Sequence, residues 1–206
     1  MAADQTDEQL MRRFQRGEAR AFETLMLRHR TPVYSFLLRL TGERTRAEDL
    51  AQETFMRLVK GAATWEPRAA VRTWLFTIAR NLAVDAARRQ AFRATESLDA
   101  TSIDGPRARH APPAATGPGP DEEAEAAQLR PRLEAALASL PAEQREVFLL
   151  REHAGLSFPE IAEATGVNEN TVKSRVRYAL LALRERLAAD GVVAGAAAAP
   201  RGGDAP

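Results

Sequence analysis

The stretch "NENTVKSRVRYALLALRERL", residues 168–187, gathers side chains that can hold and read nucleic acid. At about 100° per residue, Asn170, Lys173, Ser174 and Arg177 fall on one side of a helix, with Arg175 flanking it. Amide and guanidinium groups hydrogen-bond to base edges, and lysines, arginines and hydroxyls hold phosphates. These groups crowd the N-terminal half of the helix, the half that enters the major groove when a helix-turn-helix docks. A solvated charged face is the competing reading. It accounts for Arg184, Glu185 and Arg186, and less well for polar groups massed directly after a turn. On the far side, Val172, Val176, Ala179, Leu180, Leu183 and Leu187 form an apolar stripe expected to face a core.

The preceding residues must aim that helix. Ser157 and Glu160 have capping-box spacing, with Pro159 in the first turn, where its missing N–H costs little. Gly166 suits a left-handed helix end. Val167 and Val172 flank an Asn168 cap as a hydrophobic staple. Ala162, Gly166 and Val172 match the spacing of a helix-turn-helix; a plain helical hairpin is the alternative.

Two upstream helices carry further polar faces. In "TRAEDLAQETFMRLVK" (45–60), Thr45 and Glu48 have capping-box spacing. Leu50, Ala51, Thr54, Phe55 and Leu58 should turn inward, leaving Asp49, Gln52, Glu53 and Met56 outside. Periodicity alone would explain that acidic face by solubility. In "VRTWLFTIARNLAVDAARRQAF" (71–92), Val71, Leu75, Ile78, Ala79 and Leu82 should be inward, and Thr73, Thr77, Arg80, Asn81 and Arg88 outward. Trp74, Asn81 and Arg88 recur at intervals of seven and line up along the helix. An aromatic, an amide and a guanidinium in line suit unstacked bases beside a phosphate backbone, although Trp74 serves equally well as a core residue.

Composition removes other classes. The 206 residues have a formal net charge of +1, 45% hydrophobic and 6% aromatic content, and no cysteine. Any basic signal is therefore local, and thiol catalysis, disulfides and cysteine-bound zinc are excluded. No apolar run reaches spanning length and residues 1–10 lack a signal pattern, so a cytoplasmic protein without membrane insertion is expected. His29, His110 and His153 are scattered without metal-ligand spacing, and no phosphate-cradling loop or nucleophile elbow appears. No enzyme, metal or cofactor is expected. Residues 96–120 read as a Pro/Gly-rich flexible linker and 191–206 as a disordered tail. The fold expected is all-α: two small helical domains, 1–95 and 121–190, the second holding the helix-turn-helix.

Together, "AEDLAQETFMRLVK", "RTWLFTIARNLAVDAARR" and "LPAEQREVFLLREHAGLSFPEIAEATGVNENTVKSRVRYALLALRERL" resemble the two-domain extracytoplasmic-function (ECF) sigma factors of the sigma-70 family, in family order. The resemblance implies a protein that binds core RNA polymerase, through its β′ clamp helices and β flap, and directs initiation at promoter DNA. It implies polymerase docking by Asp49, Gln52, Glu53, Phe55 and Met56. It implies −10 recognition and melting by Trp65, Arg72, Trp74, Arg80, Asn81 and Arg88. It implies −35 recognition by Asn168, Asn170, Thr171, Lys173, Ser174, Arg175 and Arg177, and an anti-sigma partner. Many relatives have a glycine before the threonine of "NENTVKSRVRYAL" and a more basic run after the serine-arginine, so the upstream promoter sequence stays open. Two elements one to two helical turns apart lie roughly 35–70 Å from each other. About twenty extended linker residues span about 70 Å, so one chain can hold both. A helix-turn-helix regulator acting without polymerase is the alternative function.

Overall fold

The computed structural model describes residues 5–67, 69–96 and 120–192. The expected linker and tail therefore lie largely outside the described residues. Among those residues there are eight α-helices and no strand.

The first group opens with α1 (Asp7–Gln15), started by a capping box between Thr6 and Gln9. α2 (Ala19–Thr41) buries Ala21, Leu25, His29, Val33, Phe36 and Leu37, a three-and-four spacing that makes one continuous face. It stops at Gly42, whose φ of 72° is left-handed. α3 (Arg44–Ala62) follows at once, and here the structure corrects the expected box. Glu43 is the N-cap without a side-chain bond, Thr45 already lies inside the helix, and Glu48 pairs with Arg44 at 2.9 Å. The short turn after Gly42 starts the helix before Thr45 can cap it.

α4 (Val71–Glu96) completes the group. The first helix fixes both ends of the α3–α4 connection. Gln15 Nε2 donates to the carbonyls of Ala62 and Trp65 at 2.8 and 2.9 Å, and Glu8 Oε1 accepts from the Val71 N–H at 3.2 Å. These bonds satisfy helix-end groups that lack intrahelical partners.

The second group comprises α5 (Pro120–Ser139), α6 (Ala142–Glu152), α7 (Phe158–Thr165) and α8 (Glu169–Ala189). Ala136, Leu137 and Leu140 close a small core on Ala179 and Leu183 of α8. The main core belongs to both groups. Phe36 and Phe76 meet edge to face at 5.4 Å within it, and Val147, Leu150, Ile161 and Val172 of the second group are continuous with them. α4 is consequently covered on two sides. Phe76 is fully buried and Thr73 is only 7% exposed, although a single-face reading of α4 left out the first and turned the second outward.

Candidate nucleic-acid interface

The corner forms as its residues dictate. Ser157 Oγ accepts from the Glu160 N–H at 3.4 Å, and Glu160 Oε2 accepts from the Ser157 N–H at 2.8 Å. Gly166 ends α7 at φ 72° and ψ 18°, its N–H donating to Ala162 O at 2.9 Å. Val172 is fully buried, and Val167 packs beside it against the core.

Asn168 and Thr171, both expected at DNA, take a different role in the structure. Asn168 Oδ1 accepts from the Thr171 N–H at 2.8 Å and from its hydroxyl at 3.0 Å, so the pair caps α8. Arg175 also differs from expectation: it pairs with Glu143 of α6 and ties the two helices together. Ser174 is exposed, its hydroxyl donating to Thr171 O at 2.9 Å. Lys173 pairs with Glu169 at 2.6 Å and lies 5.8 Å from the centre of the Phe158 ring, yet remains half exposed. Asn170 and Arg177 are exposed and have no ionic partner among the described residues. The face offered to solvent is therefore Asn170, Lys173, Ser174 and Arg177. Leu180 is a further correction: at 49% exposed it leaves the core stripe, because α5 and α6 cover only the side of α8 that carries Ala179 and Leu183.

On α3, Asp49, Gln52 and Met56 point outward, and Glu53 pairs with Arg57 at 3.0 Å. Phe55 packs partly buried against the core, so it supports this face from below.

The α4 surface is divided. Asn81 and Arg88 are exposed, and Arg88 shares a shallow depression with Arg57, Asp85 and Arg89. Trp65, expected at DNA, is instead a core residue at 9% exposure. Trp74 is half buried, its indole so close to Gly61 that a Cβ there would lie 2.8 Å from Cζ2. Arg72 is exposed and donates to His153 O at 3.5 Å. Arg80 was expected to project freely, but its side chain is 17% exposed. Its Nε donates to Glu146 Oε1 at 2.6 Å, and its Nη1 donates to Ala164 O at 3.2 Å and Asn81 Oδ1 at 3.1 Å. The Thr73 hydroxyl donates to Glu160 Oε1.

The sequence reading missed Glu146, Glu160, His153 and Arg39 as members of this surface. Their partners lie 66 to 114 residues away, beyond the reach of any periodicity. Arg39 Nη1 sits 3.2 Å from His153 Nε2. Burial, with the charges of Arg39 and Arg72 nearby, pushes the His153 pKa down to about 4. For Glu160, burial acts to raise the pKa, but hydrogen bonds from Ser157 and Thr73 and the charge of Arg72 outweigh it and hold the carboxyl low.

Among the described residues no helix is long and apolar enough to cross a membrane. The sigma-70 region 2 family matches residues 25–93, and the sigma-70 region 4 family matches residues 130–183. The ECF RNA polymerase sigma factor SigL of Mycobacterium tuberculosis is 36% identical over 177 residues, covering 85% of this chain and 94% of SigL. The RNA polymerase sigma factor CarQ of Myxococcus xanthus is 34% identical over 177 residues, covering 86% of this chain and 95% of CarQ. Among solved structures, the sigma factor RpoE of Bartonella quintana, in complex with the anti-sigma factor NepR, superposes with a TM-score of 0.63 at 30% identity. That match covers 82% of this chain and 98% of RpoE. CnrH in complex with the cytosolic domain of CnrY also gives 0.63, at 25% identity, covering 90% of this chain and 99% of CnrH. With both sigma-70 regions in order and full-length relatives above 30% identity, the chain belongs to the ECF branch of the sigma-70 family, the non-enzymatic factors of transcription initiation.

Proposed function

We propose that the chain divides promoter recognition between its two helical groups, about 1–95 and 121–190, on a tether. α3 docks on core polymerase through Asp49, Gln52, Glu53 and Met56, with Phe55 beneath. α4 opens and reads the −10 element through Arg72, Trp74, Arg80, Asn81 and Arg88. α8 reads the −35 element through Asn170, Lys173, Ser174 and Arg177. Asn168, Thr171 and Arg175 hold α8 in place for that contact, and Trp65 holds the loop before α4. The observation that carries this reading is the corner itself: Gly166 and Asn168 end one helix and start another whose first turns expose amide, ammonium, hydroxyl and guanidinium groups. Those are the groups a recognition helix brings to base edges and phosphates. Work beside core polymerase supports a cytoplasmic location. The likeness to RpoE, solved with the anti-sigma factor NepR, supports an anti-sigma factor as a further partner.

Reconstitution with core polymerase tests the assignment. The full chain should direct specific transcripts from a promoter library, and these should share two spaced sequence elements. Replacing Asp49 and Glu53 with Lys reverses the charge of the α3 face without touching core atoms, and like-charge juxtaposition across an interface costs several kcal/mol. Unchanged polymerase affinity in that double variant would remove α3 as the docking face.

A further inference from the structure

The solvent face of α8 carries a carboxylate as well as its amide, hydroxyl and basic groups. Glu169 opens the helix directly after the Asn168 cap, and its Oε1 lies 2.6 Å from Lys173 Nζ one turn on. Both side chains stay open to solvent, at 42% and 50% exposure, so the pair is presented whole. Phe158 of α7 fixes where it sits. The Phe158 ring packs against the core, 5.8 Å from the Lys173 ammonium and 4.8 Å from the Arg151 guanidinium. An exposed ion pair adds little to stability. The first turns of a recognition helix, however, are the part that meets base edges. There an acceptor held against a donor has a defined complement. In a G·C pair, guanine offers the O6 and N7 acceptors and cytosine, beside them, the N4 donor.

We propose that Glu169 and Lys173 act as one unit that reads a single G·C base pair of the upstream element, the ammonium on guanine and the carboxylate on cytosine. The proposal rests on the −35 assignment of α8. The unit has a direction. Inverting the base pair to C·G sets the carboxylate against guanine O6 and the ammonium against the cytosine amino group, so that acceptor meets acceptor and donor meets donor. T·A keeps an acceptor beside a donor in the original order, but it crowds the ammonium with the thymine methyl and the carboxylate with adenine N7. The order of preference is therefore G·C, then T·A, with the inverted pairs last. An amide in place of the carboxylate changes that order. Glutamine donates to N7 and accepts from N6 of adenine, so Glu169→Gln should move the preference toward T·A. A role for Glu169 in helix stability alone predicts no change of base.

The test is selection by holoenzyme, reconstituted with the full chain, on a promoter library with a randomised −35 element. The ratio of two sites bound by one protein does not depend on the fraction folded, so a loss of stability cannot mimic the result. The native chain should favour G·C over C·G at one position by about tenfold. Glu169→Ala should lower that ratio several-fold at the same position and leave the others alone. Glu169→Gln should enrich T·A there, and Lys173→Ala should relax the same position. Unchanged selection by both Glu169 variants, or effects of Glu169 and Lys173 at different base pairs, overturns the proposal. If Asn170→Ala and Arg177→Ala also leave −35 binding unchanged, the assignment of α8 itself fails, and the proposal with it. If those two variants act and the Glu169 variants do not, only the paired readout fails.

Discussion

Replacing Gly166 tests whether the corner is set by backbone geometry. Its φ of 72° and ψ of 18° are left-handed, a conformation that costs an L-residue roughly 1–2 kcal/mol. An added Cβ would meet no atom within 4 Å, so no steric clash adds to that cost. Gly→Ala at a compatible position has the opposite sign, stabilising by about 0.4–1 kcal/mol through the unfolded chain. The balance for Gly166→Ala is a loss of about 1 kcal/mol; Gly166→Val should lose more, and Gly166→Asn less, since Asn tolerates this conformation. Urea titration of the full chain followed by far-UV circular dichroism measures it. With slopes of about 1–3 kcal/mol/M, the Ala midpoint should fall by about 0.3–1 M at unchanged slope. A raised midpoint would refute the reasoning, because it would mean that the position is not left-handed. Gly61→Ala is the contrasting case: there the new Cβ would press on Trp74, so the cost is one of packing and should alter the tryptophan emission.

Three other outcomes are expected. Asn168→Ala should destabilise the fold by about 1 kcal/mol through the lost cap, while the folded protein keeps its −35 sequence preference; a change in preference measured on a promoter panel would return Asn168 to the DNA. Arg177→Ala should weaken −35 binding on all sequences and lower the salt slope by about one, whereas Asn170→Ala should cost about 1–3 kcal/mol at one base pair; binding isotherms across salt and base-pair variants separate the two. His153 should make the fold acid-sensitive. Its pKa of about 4 in the folded protein lies below the ordinary 6.5, so the unfolded chain binds the extra proton, and the stabilisation is full above about pH 6.5 and lost as pH falls toward 4. Arg39 of α2 and Arg72 of α4 are the charges that face it. The urea midpoint measured at pH values from 7.5 to 5 should fall, and His153→Gln should remove that dependence.

The helix-turn-helix was legible because its determinants are local. A capping box, a left-handed glycine and an asparagine cap each act within four residues, so sequence order alone specifies them. The amphipathic face of α3 was legible for the same reason, although its first turn was not: Gly42 starts the helix earlier than Thr45 would. What the sequence could not convey was which polar residues of α4 stay free. Helical periodicity assigns an outward direction but cannot say what lies there, and for Arg80 and Thr73 it is a second group of helices. Trp65 illustrates the reverse. The family resemblance implied a DNA contact, but here this residue closes the core beneath α1, its carbonyl held by Gln15. Leu180 was misassigned because one helical stripe was expected to be covered along its whole width, whereas α5 reaches only part of it.

The most direct test of the central claim, that α4 opens the −10 element within polymerase, is permanganate reactivity of −10 thymines. Core polymerase with the full chain should make them reactive, and core polymerase alone should not. Asn81 is exposed on α4 and leaves the core untouched when shortened. Asn81→Ala holoenzyme should therefore open a fully paired promoter slowly and a premelted one normally. Equal reactivity of wild-type and Asn81→Ala holoenzymes on the paired promoter would contradict the account.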